Sequence, residues 1–209
     1  MAALILATRN EHKLRELREA LPRLEIDPLP AEVELPPEEG ETFAENALGK
    51  ARAAAAATGR TAIADDSGIE AAALGGRPGV RSARFAGEGA SDDQNLRKLL
   101  AEVEGQRDRR VAYVCAIALV SPEGDERVFD GRCEGTLAEV PRGDGGFGYD
   151  PAFVPDDTGA EDERTMAELS PDEKHAISHR GRAARALAEH LAKHPAPGRP
   201  RTRSGGAGR

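Results

Sequence analysis

The stretch Thr61-Ala-Ile-Ala-Asp65-Asp66-Ser67-Gly68 decides how the chain is read. Four apolar or β-branched residues have the length of a buried strand, and they stop at two adjacent carboxylates, a hydroxyl and a glycine. In an open α/β sheet, ligands bind at the carboxyl ends of the strands. Two neighbouring carboxylates repel each other unless a cation or a shared proton intervenes. A hard dication such as Mg²⁺ takes oxygen ligands and shares them with substrate phosphates. The same four polar residues are common in turns, so taken alone the tetrad leaves a turn and a metal site equally open.

Upstream, Leu4 to Ala7 reads as a second buried strand. It is followed by Thr8-Arg9-Asn10 and a helix from Glu11 to Leu21, with Leu14, Leu17 and Leu21 at helical spacing. The free N–H groups of that helix, with Thr8, Asn10 and Lys13, suit a phosphate. The glycines of a P-loop are missing, and on these residues alone an ordinary capped helix is the simpler reading. Leu24 to Leu29 suits a short strand, and Pro28, Pro30, Pro36 and Pro37 keep helix away until Glu41. The acidic run Glu38-Glu39-Gly40-Glu41 is either a solvated charge cluster or the source of a metal ligand. Thr42-Phe-Ala-Glu45 is a capping box opening a helix to Thr58, closed by Gly59. Asn46 and Lys50 share one of its faces.

Downstream, Ile69 to Leu74 reads as a further strand, and Gly75 to Gly79 as a tight loop. Ser91-Asp-Asp-Gln94 is a second capping box, with Leu96, Leu99, Leu100 and Val103 inward. Arg109 to Val120 is expected to be the longest strand, with Val111, Tyr113, Cys115, Ile117 and Leu119 on one face. A turn at Pro122 to Asp125 returns Glu126 to Cys133 antiparallel, and Thr136 to Val140 extends the sheet. Gly143 to Pro151 is either a loop whose glycines let backbone approach a ligand, with Phe147 and Tyr149 as a flat surface for a base, or a glycine-rich hairpin loop with two packed aromatics. Ser170-Pro-Asp-Glu173 is a third capping box with Pro at the first helical position. A helix restarts near Gly181 and runs to about Lys193, with Ala184, Leu187 and Leu191 inward.

Composition sets the class. With 39% hydrophobic and 32% charged residues in 209, the chain is that of a soluble globular protein, and at 3% aromatic its core must be aliphatic. One domain over 1–194 and a disordered basic tail over 195–209 are expected. The net charge is −8, and without the tail's four arginines the body carries −12. Binding to nucleic acid is therefore not expected, whereas a small phosphorylated ligand needs only a few local cations. Cys115 and Cys133 show neither metal-ligand spacing nor a disulfide scaffold. No stretch has the length of a membrane span or the form of a signal peptide, so a cytoplasmic protein is expected.

Six stretches together resemble one family. They are Leu6-Ala-Thr-Arg-Asn10-Glu-His-Lys13, Thr42-Phe-Ala-Glu-Asn-Ala47, Ala64-Asp-Asp-Ser-Gly68, Leu74-Gly-Gly-Arg-Pro-Gly79, Gly146-Phe-Gly-Tyr-Asp-Pro151 and Glu173-Lys-His-Ala-Ile-Ser-His-Arg-Gly181. In this order they resemble the inosine/xanthosine triphosphate pyrophosphatase family. The resemblance implies an α/β fold with a long mixed sheet flanked by helices, two lobes with a central cleft, and a homodimer. It implies Mg²⁺-dependent hydrolysis of ITP, dITP or XTP to the monophosphate and pyrophosphate. By motif, Thr8, Arg9, Asn10, Glu11, His12 and Lys13 touch the triphosphate. Asp66 is the base and a metal ligand, with Glu38 as a second ligand, and Ser67 meets substrate. Phe147, Gly148, Tyr149, Asp150, Lys174, His179 and Arg180 line the nucleotide pocket. Arg9 stands where many relatives have glycine, which adds a cation beside the phosphates. The acidic loop aligns ambiguously at Glu38, and the tail lies outside the family pattern. Two other readings remain: a pyrophosphatase for other modified nucleotides, and a nucleotide-binding module without turnover.

Overall fold

The computed structural model describes residues 3–194; the expected tail of 195–209 lies outside the described residues. Six strands form one sheet in the order β2-β1-β3-β4-β5-β6. They are β1 (Leu4–Leu6), β2 (Ile26–Pro28), β3 (Ala62–Ala71), β4 (Arg110–Val120), β5 (Glu126–Leu137) and β6 (Phe153–Pro155). The β1 strand runs parallel to β2 and β3, and every other pairing is antiparallel. The helices are α1 (Glu11–Ala20), α2 (Phe43–Thr58), α3 (Asp92–Glu102), α4 (Pro171–Ile177) and α5 (His179–Lys193). This is the mixed, helix-flanked α/β sheet expected from the sequence.

Strand side chains alternate between the two faces of the sheet, and each face has its own cover. Against one face, Ala47, Ala51, Ala54 and Ala55 of α2 meet Ala62, Ala64, Ala116 and Ala118 of the central strands. Against the other, Leu17 and Leu21 next to Ala183, Ala184 and Leu187 of α5 cover Ile63, Cys115 and Ile117. At the far end, Leu96, Leu99 and Val103 pack with Ile69, Val111, Tyr113 and Phe153. All three expected capping boxes form, at Thr42, Ser91 and Ser170.

Four expectations are corrected. The tetrad is not the end of a strand: β3 runs unbroken from Ala62 to Ala71, paired with β4 throughout. Its polar residues stay in the ladder because helices on both faces supply them with partners. Residues 72–74 form a short 3₁₀ turn instead of extending that strand. The longest strand is β5, with 12 residues against 11 in β4, and its Thr136 and Leu137 pair with β6 in place of an additional strand. Finally, α5 begins at His179, capped by the Ser178 hydroxyl, two residues before the expected restart.

Gly131 of β5 permits α5 to start there. A Cβ at this position would lie 2.0 Å from the His179 carbonyl oxygen and 2.7 Å from the Ala183 nitrogen, both backbone atoms. Gly131→Ala is therefore expected to cost about 3 kcal/mol or more, an overpacking penalty at its upper end, measured by urea unfolding. A change below about 0.5 kcal/mol would mean that the helix start is not held against β5.

Candidate active site

Alternation sends the two adjacent aspartates to opposite faces of the sheet. Asp65 points toward α1 and α5, where its Oδ2 lies 3.1 Å from Lys13 Nζ and 3.2 Å from Arg180 Nη2. Asp66 points toward α2, where its Oδ2 accepts from Asn46 Nδ2 at 2.9 Å and its Oδ1 lies 3.6 Å from Lys50 Nζ. Asn46 and Lys50 belong to the buried face of α2, so the otherwise apolar face carries two polar residues where it passes Asp66. Lys50 also reaches Glu38 Oε1 at 2.5 Å, and Arg84 donates to the Glu38 carbonyl at 2.8 Å.

The Asp65 side continues as a chain of alternating charge. Arg180 also pairs with Glu16 and donates to Ser67 Oγ at 2.8 Å. Glu16 accepts from Lys174 Nζ at 2.8 Å, and Lys174 in turn reaches Asp150 Oδ2 at 2.9 Å. Asp150 takes two further donors, the Tyr113 hydroxyl at 3.0 Å and the Phe147 N–H at 2.9 Å. Three segments distant in sequence (α1, the 147–150 loop and the α4–α5 junction) are thereby tied to the middle of β3.

These contacts set the ionisation states. Burial alone would raise the Asp65 carboxyl, but Lys13 and Arg180 outweigh it and hold the group well below the usual carboxylate range. Glu16 behaves likewise: burial opposes ionisation, and Arg180 and Lys174 overcome it. Asp66 moves the other way, because its burial is not offset by Lys50 and Lys13 and Glu38 adds a repulsive charge. Burial, then Arg180 and Lys174, push the His179 imidazole well below its ordinary value, so it is neutral.

One cavity collects most of the expected residues. Asn10, His12, Lys13, Glu38, Asp66 and Ser67 line it on the strand and α1 side. Phe147, Gly148, Tyr149, Asp150, Lys174, His179 and Arg180 line the rest. The Phe147 ring stacks on His12, with centroids 5.3 Å apart, and both Lys174 and Arg180 lie over it. Thr8, Arg9 and Glu11 are not among the lining residues. Thr8 Oγ1 accepts the Asn10 N–H. Arg9, expected as a cation beside the phosphates, instead donates to the carbonyls of Leu29, Pro30, Ala31 and Val33 at 2.7–3.1 Å. Its guanidinium is held by four peptide oxygens of the loop after β2.

Glu16 and Tyr113 were not anticipated from sequence as parts of the site. Glu16 sits three residues after Lys13 and is buried beside Leu17 on α1, outside the Leu14, Leu17 and Leu21 spacing, so only the folded chain reveals it. Asp92, which accepts the Gly148 N–H at 2.8 Å, and Asn95 also line the cavity.

The backbone contributes as well. Thr61 and Ile63 turn their carbonyls toward β1, accepting from Ile5 and Ala7, and Ile69 turns its N–H to the Ser82 hydroxyl on the same edge. By the alternation of a strand, the peptide groups of Asp65 and Ser67 point to this edge too. The β1 strand ends at Leu6, and those groups have no backbone partner among the described residues. Gly68 allows the Gly79–Ser82 turn to close against the edge, since a Cβ there would lie 2.3 Å from Ser82 Oγ.

The model of the Ham1 family matches residues 4–190. The chain belongs to the Ham1 family. A dITP/XTP pyrophosphatase of Geobacter sulfurreducens is 49% identical over 200 residues, 91% of this chain and 97% of that protein. One from Mycolicibacterium paratuberculosis is 51% identical over 196 residues, 90% and 94% of the two chains. Among solved structures, a HAM1 protein from Coxiella burnetii superposes with a TM-score of 0.83 at 43% identity, covering 92% of this chain and all of that one. The Ham1 protein of Staphylococcus aureus gives 0.82 at 38%, covering 92% and 99%.

Glu16 is the central anion of the charge chain. Glu16→Gln is expected to destabilise this Ham1 protein by about 3 kcal/mol at pH 7, because two buried cations lose their shared counter-charge. The native carboxyl is depressed below its ordinary 4.5, so its contribution is complete above that pH and lost as pH falls through the native value. The stability gap between wild type and variant, from denaturant unfolding, is therefore expected to narrow below pH 4.5. A gap independent of pH would show that the charge of Glu16 is not what stabilises the fold.

Proposed function

We propose that this Ham1 protein hydrolyses non-standard purine nucleoside triphosphates (ITP, dITP and XTP) to the monophosphate and pyrophosphate, with Mg²⁺ as cofactor. The observation that carries the reading is that Asp66, held by Asn46 and Lys50, faces the same cavity as Lys13 and the Phe147 loop. Relatives about half identical to it over most of their length are named dITP/XTP pyrophosphatases. In this reading Asn10, His12 and Lys13 meet the triphosphate, and the open N–H groups of Asp65 and Ser67 lie beside it. Asp66 takes the proton of the attacking water, held in place by Asn46 and Lys50.

The residues fit a metal of this kind. Asp66 and Glu38 line one cavity, each affects the ionisation of its surroundings, and Lys50 is the cation nearest both. No group of three or more His, Cys, Asp or Glu among the described residues is arranged to hold a metal. That donor set suits Mg²⁺, which takes one or two carboxylates and completes its shell with phosphates and water. When bound, Mg²⁺ supplies charge neutralisation for the phosphates and for the leaving pyrophosphate.

Choice of base follows from which donors are left over. The Phe147 and Gly148 N–H groups are taken by Asp150 and Asp92. Lys174 has two of its three protons committed, to Glu16 and Asp150, and His179 is neutral. Arg180 has four of its five N–H groups committed, to Asp65, Glu16 and Ser67. Lys174 and His179, with the one N–H left on Arg180, are thus the donors available to a 6-oxo purine. Against ATP, whose 6-amino group is itself a donor, such groups are left unpaired, a mismatch that discriminates by ~10⁴-fold or more. The family resemblance also supports a homodimer acting in the cytoplasm; no described helix is long and apolar enough to cross a membrane.

Pyrophosphate release from ITP, XTP, GTP and ATP, with and without Mg²⁺, tests the reading. Turnover of ITP and XTP is expected to dominate and to require the metal. ITP hydrolysed no faster than ATP and GTP would contradict it. Asp66→Asn is expected to lower kcat by more than about 10²-fold while nucleotide binding, followed by calorimetry, survives. Retained turnover would remove Asp66 from the chemistry.

A further inference from the structure

Tyr113 sits in the middle of β4, on the face covered by α5, and lines the cavity while remaining 6% exposed. Its ring stacks on two partners. The His179 centroid is 4.6 Å away with the planes 16° apart, and the Phe153 centroid is 4.3 Å away at 21°. Its hydroxyl donates to Asp150 Oδ1, leaving Oδ2 to receive the Phe147 N–H and Lys174 Nζ. His179 Nδ1 is buried without a hydrogen-bond partner, so the orientation of that imidazole comes from the stack on Tyr113. Tyr113 therefore touches His179 directly and, through Asp150, reaches Lys174 and the Phe147 peptide.

We propose that Tyr113 is a positioning residue for base recognition: its ring sets the plane of His179, and its hydroxyl locks Asp150, which in turn aims Lys174 and pins the Phe147 peptide. The inference deepens the reading above, since it assumes that Lys174 and His179 meet the purine. Burial, then the Asp150 charge, raise the phenol well above its ordinary value, which keeps the hydroxyl protonated as a donor. Asp150, 3% exposed, has each oxygen engaged and acts through Lys174 and the loop instead of on the base itself. Removing the hydroxyl leaves Oδ1 without its donor, and the carboxylate is then free to turn toward Lys174 and release the Phe147 peptide. The ring stack is unaffected by that change. The two functions of Tyr113 are therefore separable by two substitutions.

The test compares Tyr113→Phe, which keeps the ring, with Tyr113→Leu, which removes both ring and hydroxyl. Inorganic tripolyphosphate as a competitive inhibitor reports the phosphate side alone. In Tyr113→Phe the KM for ITP is expected to rise about tenfold, the usual scale for a buried acceptor losing its donor. The ratio of kcat/KM for ITP to that for ATP is expected to fall by a similar factor, while inhibition by tripolyphosphate stays within about twofold. In Tyr113→Leu the ratio falls further, and the His179 ring protons lose their ring-current shift in the NMR spectrum, a shift that Tyr113→Phe retains. Ratios and inhibition constants do not depend on the folded fraction, so reduced stability does not mask the outcome. An unchanged KM and ratio in Tyr113→Phe, or an equal weakening of tripolyphosphate, would overturn the proposal. A wild type that does not prefer ITP would instead defeat the functional reading, and the comparison of nucleotide KM with tripolyphosphate inhibition would still decide whether Tyr113 serves the base side.

Discussion

The structure depends on one buried carboxylate and the two cations that keep it charged. Asp65 is 1% exposed and lies in the middle of the third strand. An ionised carboxylate in such a place is tolerated only when paired and hydrogen-bonded. The partners come from opposite ends of the chain, Lys13 from the first helix and Arg180 from the last. Both helices are thus fixed to the strand by charge as well as by apolar packing. Taking away Asp65 leaves Lys13 without its carboxylate and Arg180 with Glu16 alone, so the three residues form a single unit. Everything positioned by α1 or α5, including the Thr8–Asn10 turn and the imidazole of His179, inherits its location from that arrangement.

Against this, Asp66 has a different part. Its immediate neighbour in sequence faces the opposite layer, and the two carboxyls are driven in opposite directions from the ordinary range. A strand makes this division without a turn or bulge, because successive side chains point to opposite faces. One acid is thereby stabilised as an anion that serves the framework. The other is left with incomplete compensation on the cavity side, where a proton or a cation can be accepted.

Much of this was readable in the sequence because it resides in local chemistry. Capping boxes at Thr42, Ser91 and Ser170 depend on residues three apart, and they formed as expected. The α/β class followed from the periodicity of the strands and helices, and most of the expected site residues share one cavity. What escaped was set by distant partners. A run of Asp-Asp-Ser-Gly ends a strand on propensity, yet β3 continues through it since Lys13, Arg180, Asn46 and Lys50 are all brought to it from elsewhere. Glu16 looks like one more helix-surface carboxylate until the chain closes and places two cations beside it. Arg9 was expected to face anions on the strength of its charge alone. Four carbonyls contributed by the 29–33 loop, invisible without the fold, take its guanidinium elsewhere.

The brevity of β1 has a consequence for what the sheet can become. It is three residues long and aligns with only the first part of a ten-residue neighbour. Were it to continue past Leu6 in register, its amides would close over the peptide groups of Asp65 and Ser67 and complete the ladder. A more complete sheet would then leave no mouth for the cavity beside it. In this fold a gap in the hydrogen-bonded lattice and room for a guest are one and the same, so selection for a longer first strand would seal the opening as it strengthened the sheet.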